Sequence, residues 1–152
     1  MDQDPASPAD RGPLLGAMLR LAHQAVIRKV LEGLAAAGVD DVQSAHFVPM
    51  VALWDHPEGM RLTEMARQAR ITKQSMGELV DQLVERGYVQ RISDPDDGRA
   101  RRIRITPQGR KVSRLARKLV HEVEAEWSRR IGASKVEDLR RILRLLLETE
   151  PE

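Results

Sequence analysis

The reading of this chain turns on one stretch: Thr72-Lys73-Gln74-Ser75-Met76-Gly77-Glu78-Leu79-Val80-Asp81-Gln82-Leu83, closed by Gly87 and followed by Tyr88-Val89-Gln90-Arg91-Ile92, Asp94-Pro95-Asp96-Asp97-Gly98 and Arg102-Ile103-Arg104-Ile105. Met76, Leu79, Val80 and Leu83 recur at helical spacing. Thr72 is a good N-cap, and Gly87 suits a left-handed C-terminal cap. After Gly87 the apolar period drops to two. Two alternating runs around a turn dense in Asp, Pro and Gly predict a β-hairpin, with isoleucines on one face of the second strand and arginines on the other. Just upstream, Leu62, Met65, Ala66 and Ala69 suit a short helix with Thr63 near its N-cap. Helix, short turn, capped helix and hairpin make a winged helix-turn-helix.

That arrangement carries a chemistry. A helix fits the DNA major groove, and side chains near its N-terminus reach base edges. Here these are Thr72, Lys73, Gln74, Ser75 and Glu78, with Thr63 from the preceding helix. Gln addresses adenine through two hydrogen bonds, Lys addresses guanine, and Glu accepts from cytosine. The hairpin tip puts Arg99, Arg101 and Arg102 within four positions. A thin arginine loop suits a narrow minor groove, where negative potential is enhanced. Asp97 is a poor phosphate contact, and its expected role is to orient a neighbouring arginine by an ion pair. A solvated polar helix face and a charged sheet edge that blocks aggregation would use the same residue types. The attachment of wing to helix favours DNA, and Arg104 is the residue best suited to the edge role.

Charge distribution agrees. The 152 residues carry a net charge of only +2, which by itself argues against a polyanion partner. Residues 61–118, however, hold 15 basic and 7 acidic residues, net +8, whereas residues 1–60 total −4 and residues 119–152 total −2. The basic charge lies where the winged helix lies, as a DNA-binding face requires. Only Phe47, Trp54, Tyr88 and Trp127 are aromatic, too few to read single strands by base stacking.

Working outward, Leu14, Met18, Leu21, Ala25, Ile27, Val30, Leu31 and Leu34 predict a first helix ending at Gly38. A second runs from about Val42 to Trp54 with Ala45, Val48, Val51 and Ala52 inward, and Pro49 should kink it or delay its start. Thr106-Pro107 opens a long helix through Val112, Leu115, Leu119, Val123 and Trp127, stopped by Gly132. Ser134 to Glu137 has the form of a capping box for a last helix with Leu139, Ile142, Leu143 and Leu146. Residues 1–12 read as a flexible tail.

The segments Leu62-Thr63-Glu64-Met65-Ala66, Thr72 to Leu83, Arg86-Gly87-Tyr88-Val89, Asp94 to Arg99 and Thr106-Pro107-Gln108-Gly109-Arg110 together resemble the MarR family of bacterial transcription regulators. The likeness is dense from about 62 to 111 and elsewhere is one of layout. The resemblance implies a homodimer held by the first and last helices, a pseudo-palindromic double-stranded operator, and a small-molecule pocket between the dimerisation helices and the DNA-binding lobe. It implies a repressor released by a small aromatic or phenolic ligand. Leu145, Leu146 and Leu147 cover two helix faces, more apolar surface than a single small bundle needs. The expected fold is mainly α with a small β-hairpin wing. Its divisions are a tail at 1–12, an N-terminal dimerisation helix at 13–40, a DNA-binding lobe at 41–106 (helix-turn-helix 62–86, wing 88–105) and C-terminal dimerisation helices at 107–150.

Other chemistries find little footing. Cysteine is absent, which excludes disulfides and thiol-based sensing. The histidines His23, His46, His56 and His121 show no i, i+4 pair, so surface or structural roles are favoured over a metal site. His23, His46 and Trp54 are candidates to line the ligand pocket, although core filling is the default for a lone aromatic. No catalytic grouping and no phosphate-binding loop stands out, so neither an enzyme nor a cofactor is expected. No apolar run approaches the roughly 20 residues of a membrane span, and the polar N-terminus lacks the form of an export signal. A cytoplasmic, nucleoid-associated location is expected. Two readings remain beside the ligand-released repressor: a winged-helix protein-interaction module without DNA binding, and a DNA binder that senses no ligand.

Overall fold

The structure, a computed structural model, describes residues 12–148, so all of the expected tail but Gly12 lies outside the described residues. Six helices and three short strands follow in the order α1 (Leu15–Ala36), a 3-10 turn (Ser44–His46), α2 (Phe47–Ala52), β1 (Met60–Arg61), α3 (Leu62–Gln68), α4 (Lys73–Glu85), β2 (Val89–Ser93), β3 (Arg101–Ile105), α5 (Pro107–Ile131) and α6 (Ala133–Glu148). The fold is mainly helical with a small antiparallel sheet, a winged helix-turn-helix between flanking helices.

Local chemistry explains most boundaries. The Thr72 side chain accepts from the Ser75 N–H at 3.1 Å and starts α4. Gly87, at φ +76, ends it in the left-handed region that glycine adopts freely. The Thr106 side chain accepts from the Gly109 N–H, with Pro107 at the first helical position, and starts α5. Gly109 fits a close approach: a Cβ there would lie 2.0 Å from the Tyr88 carbonyl oxygen. In the sheet β3 is central, pairing with β2 through Val89↔Ile105 and Arg91↔Ile103 and with β1 through Met60↔Ile103.

The core runs from Val30 and Leu34 of α1 through Phe47 and Met50 of α2, Met65 of α3, Met76, Val80 and Leu83 of α4 to Val89, Ile103, Val112 and Ala116. Several expectations need correction. The second helix is shorter than 42–54. A 3-10 turn precedes it, and Pro49 sits in its first turn, where its missing N–H costs no helical hydrogen bond. Its buried residues are Phe47, Pro49, Met50 and Ala52, while Ala45 and Val51 are exposed. The N-cap of α3 is Arg61, its N–H donating to Glu64 Oε2 at 3.0 Å, and Thr63 stands near it, as expected, in the first turn. Ser134 lies within α6, because the chain re-enters helix at Ala133 directly after Gly132 (φ +99). Strand β1 was not expected.

Candidate nucleic-acid interface

α4 presents its start to solvent. Thr72, Lys73, Gln74, Ser75 and Glu78 are all exposed, whereas Met76, Val80 and Leu83 on the opposite side are buried. The exposed side is ordered by its own hydrogen bonds. Thr72 Oγ1 donates to Ser75 Oγ at 2.9 Å, and Gln74 Nε2 donates to Glu78 Oε1 at 3.2 Å. Gln74 thus keeps its amide oxygen and one N–H for a base edge. Thr63 is also exposed, on α3. Arg91 of β2 donates to Asp81 of α4 at 2.6 Å, tying wing to helix.

The wing is built around Asp94, which the sequence reading passed over. Its side chain is fully buried. Oδ2 accepts from Arg61 Nε at 2.6 Å and lies 3.2 Å from Arg102 Nε, while Oδ1 accepts from the Asp96 N–H at 2.9 Å. The Arg61 hydrogen bond and then the Asp96 N–H hold this carboxyl down at about 2, against the opposing effect of burial. The Asp94 N–H donates to the Ala100 carbonyl, and its own carbonyl accepts from the Asp97 N–H. One residue therefore closes the turn by main chain and side chain together.

The tip arginines separate accordingly. Arg102, expected at DNA, is engaged by Asp94 and by Asp96 Oδ2 at 2.9 Å and helps hold the wing together. Arg101 is exposed and donates to Ser93 Oγ at 2.9 Å. Arg99 is exposed, and its guanidinium has no hydrogen bond or ion pair among the described residues. Asp97 does not pair with a tip arginine: its ion pair is to Arg61, at 3.9 Å. It steadies Arg99 through the main chain instead, accepting from the Arg99 N–H at 3.1 Å.

A second feature lies between α1, α2 and α5. A cavity of about 410 Å³ is walled by Val26, Val30, Phe47, Val48, Ala52 and Val120, with His23, Ser44 and Gln68 adding polarity. Trp54 lines it, and the buried Trp54 Nε1 has no hydrogen-bond partner. The Arg117 guanidinium carbon lies 5.0 Å from the Trp54 ring centroid. Two of the three expected pocket residues, His23 and Trp54, are therefore together. His46 is not. It is fully buried outside the cavity wall, with Nδ1 accepting from the Gln43 N–H at 3.0 Å and Nε2 lying 2.8 Å from Gln82 Oε1. Among the described residues no group of three or more His, Asp or Glu is placed to hold a metal ion, and no helix is long and apolar enough to cross a membrane.

An exposed, capped helix start beside a cationic hairpin defines a protein of the winged helix-turn-helix class. More narrowly, residues 43–100 match the sequence pattern of the MarR family. The transcriptional regulator HosA of Escherichia coli is 28% identical over 109 residues, covering 72% of this chain and 80% of HosA. The transcriptional repressor CouR bound to a 23-mer DNA duplex superposes with a TM-score of 0.75 at 25% identity, over 95% of this chain and 99% of that one. CouR from Rhodococcus jostii RHA1 bound to p-coumaroyl-CoA gives 0.73 at 23% identity, over 97% and 99%. These relatives are named as transcriptional regulators.

Proposed function

We propose that the protein is a homodimeric, sequence-specific repressor that binds a pseudo-palindromic duplex and is released by a small aromatic ligand. One observation carries the DNA reading. The exposed start of α4 lies on the same lobe as a wing whose buried Asp94 fixes the tip while Arg99 stays unpaired. In this reading α4 enters the major groove with Lys73, Gln74, Ser75 and Glu78, and Arg99 enters the adjacent minor groove. Thr63, Thr72 and Arg101 contact the phosphate backbone.

The dimer reading rests on apolar surface that a single chain leaves in water. Leu14, Leu15 and Met18 of the N-terminal helix region and Leu139, Ile142 and Leu147 of α6 are all exposed. Clustered exposure of this kind marks an association surface. The ligand reading rests on the cavity, whose apolar walls suit a ring and whose unpartnered Trp54 N–H suits an acceptor oxygen. Arg117 beside it favours an anionic substituent. The DNA-bound and p-coumaroyl-CoA-bound states of CouR lend support by likeness of fold.

Selection of duplexes from random sequence tests the central point. Two half-sites about one helical turn apart are expected. If each protomer neutralises about five phosphates, log affinity against log salt should have a slope of roughly −9. Failure to enrich any duplex, or affinity indifferent to salt, would leave the fold as a protein-interaction module. A thermal-shift series with phenolic acids and their coenzyme A thioesters tests the cavity, stabilisation by a binder being the expected result.

A further inference from the structure

His46 has no part in the interface or the cavity, yet it is fully buried and both ring nitrogens are engaged across two elements. A neutral imidazole carries one N–H. Nδ1 accepts from the Gln43 N–H, so the proton is on Nε2 and is donated to Gln82 Oε1. Gln82 lies in the last turns of α4, one residue before the core residue Leu83. The ring therefore joins the turn at Gln43–His46 to the helix that presents Lys73, Gln74 and Glu78.

We propose that His46 is a positioning residue for the DNA-reading helix, acting through Gln82, and that only its neutral ring fits, so that DNA affinity falls as the solution is acidified. The inference rests on the DNA-reading role of α4 given above. The doubly protonated ring would set an N–H against the Gln43 N–H, and no other acceptor is engaged at that nitrogen. A buried donor facing a donor is costly and is relieved by opening the turn. Opening it releases Gln82 and, with it, the seating of α4.

The charged groups around this corner do not supply a compensating acceptor. α2 (Phe47–Ala52) carries no titratable side chain. On α4, Lys73, Glu78, Asp81 and Glu85 are exposed, and Arg86 at its C-terminal end donates to the carbonyls of Gln82 and Asp41. On the preceding loop Asp40 is exposed, and Asp41 Oδ1 accepts from the Tyr88 hydroxyl at 2.5 Å. That contact, after burial, pushes the Tyr88 hydroxyl up to about 12, so Tyr88 stays neutral through the acid range.

The test compares wild type with His46→Gln, whose amide can accept from Gln43 and donate to Gln82 but cannot be protonated there. Affinity for a duplex the protein itself selects is measured from about pH 8 to about pH 5.5, the span in which imidazoles change charge. At the upper end the two proteins should agree within a few-fold, and His46→Ala should bind about tenfold or more weakly. Toward the lower end wild type should lose about tenfold or more affinity relative to His46→Gln, as loss of a buried hydrogen bond predicts. Superimposable pH profiles, or undiminished binding by His46→Ala, overturn the proposal. Amide hydrogen exchange along α4 over the same range gives a readout without DNA. Faster exchange in acid for wild type relative to His46→Gln supports the positioning role, and equal exchange overturns it. If no duplex is ever selected, the DNA reading fails on its own while the exchange comparison still decides the role of His46.

Discussion

Asp94 shows how one side chain orders a contact it does not itself make. Its carboxylate is charged, buried and shared between Arg61 of β1 and Arg102 of β3, while the tip beyond it holds Arg99 clear of any partner. A carboxyl held at about 2, below its ordinary 3.8, contributes stability that is complete above the ordinary value and is lost as pH falls through the lower one. Wild type should therefore exceed Asp94→Asn in urea midpoint at neutral pH, and the gap should close between about pH 4 and pH 2. A pH-independent gap would show that the charge is not the source. Arg99→Ala should leave fold and dimer intact, weaken operator binding severely, and reduce the salt slope by roughly 2 for the dimer, since a cation in the minor groove displaces about one condensed counterion per protomer. Unchanged affinity in a titration at fixed salt would remove the wing tip from the interface. The exposure of Arg99 was legible because an arginine on a turn needs no knowledge of the fold to reach solvent. The ion pairs of Arg102 and the burial of His46 away from the cavity were not, because their partners, Asp94 and Gln82 on α4, meet them only once the chain has folded back.

Elements with a long apolar period were legible, since α4 and α5 each carry one buried stripe and a Thr cap at the start. Strand β1 was not, because two residues, Met60-Arg61, are too few to show a period. The capping-box pattern at Ser134 misled because nothing in it records that Gly132 ends one helix with no linker before the next. The wing and the long helix meet at Gly109. A Cβ there would lie 2.0 Å from the Tyr88 carbonyl oxygen and 2.9 Å from the Ile105 side chain. Backbone cannot yield as a side-chain tip can, so Gly109→Ala must shift α5 away from β2 and β3. We expect a loss of roughly 2–4 kcal/mol by urea unfolding, at the high end for single substitutions. Operator affinity should fall further than stability alone accounts for, because Thr106 then loses its place against the carbonyls of Gly87 and Tyr88. A stability change under about 0.5 kcal/mol, the size expected of an ordinary surface site, would mean the junction is looser than its contacts indicate.

At the scale of the whole molecule, charge and hydrophobicity are divided along the chain. The segment 61–118 carries net +8, while the flanking segments total −4 and −2. Those flanks also hold the large exposed apolar side chains of α1 and α6, among them Leu15 at 64% and Ile142 at 51%. An exposed apolar helix face is suited to a second copy of itself, whereas the strongly cationic lobe between is suited to a polyanion. Ile142→Asp joined with Leu139→Asp places carboxylates in that surface without touching the winged lobe. In the dimeric reading, wild type sediments as a dimer at micromolar concentration and its Tm rises with protein concentration. The double variant should sediment as a monomer with a Tm independent of concentration. Its affinity for a full operator should fall to that for an isolated half-site, because binding the second half-site is no longer intramolecular. The salt slope should halve, to about −4 or −5, since each protomer then releases only its own counterions. A wild-type chain that sediments as a monomer, or a monomeric variant that keeps the full slope and full-operator affinity, would reject dimerisation through these helices and leave each winged lobe to read its half-site alone.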